Sequence, residues 1–163
     1  MNIQPRISIV NKEINCLGLM IHTNIKTVYK DLPKVYDRYM NLFNKNLISN
    51  IKRPWEYISL IQNYDTNMTW DYYTGHVITK YEDIYEDIVK FKVPEGEYAV
   101  FEVRCKKQIF FGIKIAKIKK YIYTNWLPKS EYEFSGYEFE YNNEEMKKKS
   151  PYDVDMYIGI KKK

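Results

Sequence analysis

The apolar pattern of this chain spells out the order strand, helix, strand, strand twice, and that repetition constrains the fold more than any single motif. In the first half, Ile7 to Val10 and Ile14 to His22 are alternating and β-branched and read as one kinked strand. Gly18 inside it marks a bulge or a close backbone approach. From Asp31, with Pro33 in the first turn, Leu32, Val35, Tyr36, Tyr39, Met40, Leu42 and Phe43 recur at helical spacing to about Leu47. Glu56 to Gln62 and Met68 to Thr79 are strand-like and joined by the turn-prone Asn63 to Asn67, which predicts a hairpin. After an acidic connection, Tyr81 to Asp87, the order returns. Pro94-Glu95-Gly96 opens a strand, Glu97 to Arg104; a helix follows over Gln108 to Trp126, then strands at Tyr137 to Tyr141 and Val154 to Lys161. The two halves echo each other only weakly in sequence, as in Tyr73-Thr74-Gly75 against Tyr157-Ile158-Gly159.

This order predicts an α+β fold: a single domain over residues 1–163, with halves at about 1–80 and 94–163. The two units lie side by side in a mostly antiparallel sheet, with two helices on one face and a ligand groove on the other. Cys16 and Cys105 fit no metal-ligand or CxxC spacing and read as small core residues. With no signal peptide and no apolar run near the ~20 residues of a membrane span, a reduced cytoplasmic protein is expected. The net charge of +5 comes from lysines scattered among acids, not gathered on one stripe, so no direct nucleic-acid binding is expected. His22 and His76 have no catalytic partner pattern and read as strand residues. No metal or cofactor is implied.

The stretch from Ile122 to Tyr141 carries the functional signal. Glu140 stands between Phe139 and Tyr141, and no Lys or Arg occurs from Ser130 to Asn143 to neutralise it. An acid set among rings calls for a positively charged or proton-donating partner from elsewhere.

Six segments in order support a family resemblance. They are Asn15 to Leu19, Trp70 to Gly75, Val93 to Glu102, Ile122 to Ser130, Phe139-Glu140-Tyr141 and Asp155 to Lys161. In these the chain resembles the GyrI-like, or bacterial effector-binding, small-molecule domain, which also serves as the ligand-sensing half of multidrug-responsive AraC-type regulators. Lys107 to Tyr121, with Phe110-Phe111 and many lysines, departs from that pattern. The resemblance implies a central groove for cationic, aromatic or lipophilic compounds, with Glu140 as the acid at its base. The chain begins almost at its first strand, so a built-in helix-turn-helix is not expected.

Strand alternation extends the site. If Tyr137, Phe139 and Tyr141 pack beneath the helices, Glu138 and Glu140 face the groove. On the same reasoning Tyr98 and Glu102, and Tyr157 in the last strand, turn toward it, with Tyr73 as the counterpart in the first half. Trp126 is either a helix-end core anchor or a stacking ring. The ligand-binding set expected from the sequence is therefore Glu140, Tyr73, Tyr98, Trp126, Tyr157 and Glu102. A stand-alone binder of cationic or lipophilic compounds, acting as sensor, scavenger or resistance factor, leads the alternatives. The family also implies a hydrolase of cyclopropane-bearing toxins, with Glu140 as general base and a tyrosine as proton donor, and a protein inhibitor of DNA gyrase. A transcription regulator or gyrase is thus a candidate protein partner.

Overall fold

In the computed structural model, residues 3–82, 87–150 and 152–163 are described. All strands join one eight-stranded antiparallel sheet in the order β1-β6-β8-β7-β3-β4-β2-β5. The strands are β1 (Arg6–Val10), β2 (Ile14–Asn24), β3 (Tyr57–Gln62), β4 (Thr69–Val77), β5 (Val89–Val93), β6 (Gly96–Val103), β7 (Tyr132–Tyr141) and β8 (Val154–Lys162). Helix α1 (Val28–Asn44) packs on β2 and β4; α2 (Gln108–Tyr121) packs on β6. A π-turn, Ile122–Trp126, and the short α3 (Leu127–Lys129) prolong α2, and α4 (Glu144–Lys149) precedes β8.

The expected α+β architecture of two strand-helix-strand-strand units is present, joined through the antiparallel pairing of β3 with β7. The expected single kinked first strand is instead two strands that lie six places apart in the sheet. Likewise β5, a Val-Lys-Phe-Lys-Val alternation not foreseen as a strand, precedes β6 in the chain but pairs with β2. Each half thus lends its leading strand to the other, β1 to β6 and β5 to β2.

The links are short, and they bend the sheet. Crossing six strand spacings in a flat sheet needs roughly 29 Å, whereas the four Cα steps from Val10 to Ile14 reach at most ~14 Å. The link from Val93 to Gly96 is shorter still, and the register seats Val10 opposite Gly96 and Ile14 opposite Val93. The sheet must therefore curl until its two ends meet at that corner. Its concave face becomes a core of its own, built from Cys16, Ile58, Leu60, Val77, Phe91, Val93, Tyr98, Val100 and Phe139. The helices lie on the convex face, each over a separate core: Leu17, Leu19, Val35, Tyr39 and Trp70 under α1, and Phe101, Ile118, Ile122, Met156 and Ile158 under α2.

Gly18 meets the expectation of a close approach without a bulge, since β2 and β4 pair continuously through Gly18 and Gly75. A Cβ on Gly18 would lie 1.9 Å from the Thr74 carbonyl oxygen. Helix α1 starts at Val28 and not at Asp31, which leaves Pro33 inside it. The Thr27 carbonyl accepts from the Lys30 and Asp31 amides, and the Thr23 hydroxyl donates to Asp31 Oδ2 at 2.8 Å, so the first turn is anchored upstream of the proline. Part of the acidic connection, residues 83–86, lies outside the described residues. Both cysteines are buried and unpaired. Burial, with Glu56 nearby, pushes the Cys16 thiol up to about 12, which suits a packing residue and not a nucleophile.

His76 on β4 is a structural residue, as expected. Its ring stacks on Phe43 at 4.7 Å, Nε2 lies 3.0 Å from the Pro54 carbonyl, and Nδ1 faces the Tyr39 hydroxyl. A carbonyl only accepts, so Nε2 carries the proton and Tyr39 donates to Nδ1. Burial lowers its pKa to about 4. An unfolded chain takes up this proton near pH 6.5, so the folded state loses stability as pH falls from ~6.5 to about 4, by up to about 3 kcal/mol. Urea unfolding over that range, paired with NMR titration of the His76 ring, checks this; an imidazole titrating near 6.5 contradicts it.

Candidate functional site

The pairing of β3 with β7 decides what the site contains. Glu140 lies opposite Ser59 on β3 and Met156 on β8, and Glu138 lies opposite Ile61 and Ile158. Met156 and Ile158 pack under α2, so both acids project from the convex, helix-bearing face at the seam between the halves. Tyr137, Phe139 and Tyr141 consequently point into the concave core, where Phe139 stacks on Tyr157 at 4.4 Å. The expectation that these rings lie beneath the helices is reversed.

The two glutamates fare differently. Glu138 is 2% exposed; the Lys119 ammonium donates to its Oε1 and the Tyr123 hydroxyl to its Oε2. Lys119 and Tyr123 are four residues apart and share one face at the end of α2, so one helical surface satisfies both oxygens. Glu140 is half-buried and has neither a hydrogen bond nor an ion pair among the described residues. Burial raises its pKa; Lys119 opposes this and Glu138 adds to it. For Lys119, burial favours the neutral amine, but Glu138 and Glu140 outweigh it and hold the ammonium above its ordinary value. Two carboxylates therefore share one lysine, and the lysine is committed to Glu138.

Aromatic rings border these acids. Trp70 and Tyr64 lie 5.9 Å apart, Tyr64 and Phe134 5.5 Å, and Phe134 and Tyr123 5.6 Å, an arc running from β4 across the β3–β4 loop and β7 to the π-turn. The Trp70 indole N–H is buried without a partner among the described residues. Behind the acids the Tyr72 hydroxyl donates to Ser59 Oγ at 2.9 Å, and burial plus Glu140 lifts the Tyr72 phenol to about 12. Burial and Glu138 raise Tyr64 and Tyr123 as well, so all three hydroxyls stay protonated at neutral pH.

Of the residues expected to line one groove, Glu140 alone belongs to this constellation. Trp126 is on the same face but packs edge-on against Phe101 at 5.3 Å and over Tyr132 at 6.3 Å, as a helix-end anchor. Tyr98 is fully buried in the concave core and donates to the Pro94 carbonyl at 2.6 Å. Tyr73 tilts against Phe91 at 5.4 Å on that same concave side. Tyr157 lies there too, receiving a hydrogen bond from Arg6 at 3.3 Å. Glu102 is exposed and pairs with Arg104 at 3.4 Å. Glu138 shares the face of Glu140, as strand alternation requires; the partners that sequence reasoning missed, Lys119, Tyr123 and Tyr64, come from α2, the π-turn and the β3–β4 loop, and the i, i+4 spacing of Lys119 and Tyr123 is the one signal that could have found two of them.

A search of curated proteins finds no match to this chain. The family model of the integron-associated effector-binding protein matches residues 11–160. The chain belongs to that family. Solved structures agree with its fold. An integron cassette protein from the mobile metagenome of Vibrio cholerae is 17% identical, with 99% of this chain and 100% of that one covered at a TM-score of 0.64. A putative transcription regulation protein from Staphylococcus aureus is 12% identical, covering 98% and 99% at 0.70. SAV2435, in a structure bound to tetraphenylphosphonium, is 12% identical, covering 97% and 94% at 0.72. The GyrI-like effector-binding domain expected from the sequence is therefore the fold found, and small-molecule binding is the function of its class. Among the described residues no helix is long and apolar enough to cross a membrane.

A raised carboxyl pKa has a stability consequence with a fixed sign. The folded state holds the Glu140 proton more tightly than the unfolded chain does, so ionised Glu140 weakens the fold at neutral pH and the penalty fades as pH falls. Glu140→Gln is expected to raise Tm at pH 7, with the difference closing toward about pH 4. A variant less stable than the parent at neutral pH would show that Glu140 is already paired.

Proposed function

We propose that this chain is a binding protein for cationic or lipophilic aromatic compounds, taken up at the convex seam with Glu140 as counter-charge. The observation that carries this reading is the unequal treatment of the two acids: Glu138 has two donors, and Glu140, two residues on along the same face, has none among the described residues. The local sum of two carboxylates and one ammonium leaves a single negative charge for a guest. SAV2435, which shares the fold, holds a lipophilic aromatic cation, and this supports the same ligand class here.

The magnitudes suit moderate, broad recognition. A cation ~4 Å from Glu140 at an effective dielectric near 20 gains on the order of 4 kcal/mol, and a desolvated cation–π contact with the Tyr64 or Trp70 rings adds about 2. Micromolar affinity corresponds to about 8 kcal/mol, so ring burial supplies the rest and offsets ordering costs. Such a protein serves as a sensor, a scavenger or a multidrug-type binder in the cytoplasm, without needing a partner protein for capture.

Fluorescence titration with a flat cationic dye and a neutral dye of the same shape tests the reading. Glu140→Gln is expected to weaken the cationic dye by about tenfold or more while sparing the neutral one. Equal loss of both, or no loss, contradicts charge recognition. Turnover of a strained electrophile abolished by the same substitution would replace the binder with a hydrolase.

A further inference from the structure

A second carboxylate is left unsatisfied, on the other face of the sheet. Glu56, just before β3, is 7% exposed, and its Oε2 is buried with no hydrogen-bond partner among the described residues. Its Oε1 is only loosely held, by the Tyr141 hydroxyl at 3.4 Å and by Lys52 Nζ at 3.6 Å. A buried carboxylate oxygen without a donor costs free energy that a partner would recover.

Glu56 lines a cavity of about 350 Å³ at the corner where the curled sheet meets itself. Ser8, Ile9 and Val10 of β1 form one wall, Ile14 and Val77 another, and Phe139, Tyr141 and Tyr157 a third; Lys52, half-exposed and free to swing outward, lines the cavity beside Glu56. The stacked pair Phe139 and Tyr157, with Tyr141 edge-on to Tyr157 at 6.5 Å, gives one side a flat aromatic surface. The volume is at the lower end of that for small-ligand pockets. The site is separated from Glu140 by the thickness of the sheet, because Phe139 and Tyr141 alternate with Glu140 along β7.

We infer that this corner cavity is a second ligand site, which takes a small organic amine whose protonated nitrogen donates to the loosely held Oε1 of Glu56 in place of Lys52, and whose apolar body lies on Phe139, Tyr141 and Tyr157. The chemistry differs from that at the seam. The Oε1 contacts at 3.4 and 3.6 Å leave room for a shorter N–H donor, so a primary ammonium suits Glu56, whereas a fully substituted cation has no proton to give.

The test titrates the full chain with 2-phenylethylammonium, with phenyltrimethylammonium and 2-phenylethanol as controls, following the methyl signals of Val10, Ile14 and Val77. Saturating shifts at these methyls with the primary ammonium, and at least about tenfold weaker binding of both controls, are expected. Glu56→Gln should weaken the primary ammonium by about tenfold, and Glu140→Gln should leave its effect on these methyls unchanged. Where Glu56→Gln does not fold, Ile9→Trp decides: Ile9 is 66% exposed at the cavity wall, and a larger ring there should block entry without touching the core. Absence of shifts at these methyls means that only water satisfies Glu56 and overturns the inference. So does binding insensitive to both Glu56→Gln and Ile9→Trp, or abolished by Glu140→Gln alone. Failure of the seam reading would instead appear as loss of dye selectivity with the methyl response intact.

Discussion

The two short links that tie together strands six places apart set the conditions for everything else in this fold. Because they pull the ends of the sheet to one corner, the concave face closes over its own side chains and needs no covering layer. The convex face cannot do the same. Curvature splays α1 and α2 over separate halves, each with its own core, and leaves the β3–β7 seam as the place where side chains from both halves meet, reached from the helix side by the end of α2.

At that seam one lysine and one tyrosine serve Glu138, and among the described residues no donor serves Glu140. Lys119 and Tyr123 fix the end of α2 to the sheet through Glu138, a buried and fully donated carboxylate that holds the wall in place. Glu140 then sits beside a rigid, charge-balanced neighbour, and its desolvation is not relieved from within. Holding a carboxylate this way lowers stability slightly, and in the proposed function it preorganises the site for a positive guest. The π-turn after α2 brings Tyr123 to both Glu138 and the ring arc, in keeping with the use of such turns at functional sites.

Much of the architecture was legible in the residues. The helical spacing of α1, the β3–β4 hairpin, the Gly18 contact and the doubled order of elements all survive, because each depends on local periodicity or on glycine stereochemistry. The strand exchange was not legible, since pairing partners depend on contacts far apart in sequence; β5 shows its alternation of Val89, Phe91 and Val93 with lysines over only five residues. Glu140 stood out in the sequence through its aromatic flanks and the absence of nearby basic residues, and the structure leaves it without a hydrogen bond or ion pair among the described residues. The face it shares with Lys119, Tyr123 and Tyr64 was not legible, because alternation says that Glu138 and Glu140 oppose Phe139 and Tyr141 without saying which side carries the helices. In a sheet buried on both faces that choice has no polar-outside signal to settle it. Assigning the rings to the helix side placed Tyr73, Tyr98 and Tyr157 in the groove with Glu140, whereas they fill the concave core.

The central claim is that Glu140 is kept unpaired for a cationic guest, and its carboxyl carbon reports on that directly. NMR titration of this carbon in the free protein, and again with saturating tetraphenylphosphonium, should give a pKa above the ordinary carboxylate value that falls when the cation is bound. An ordinary pKa in the free protein, or one that the cation leaves unmoved, would contradict the account.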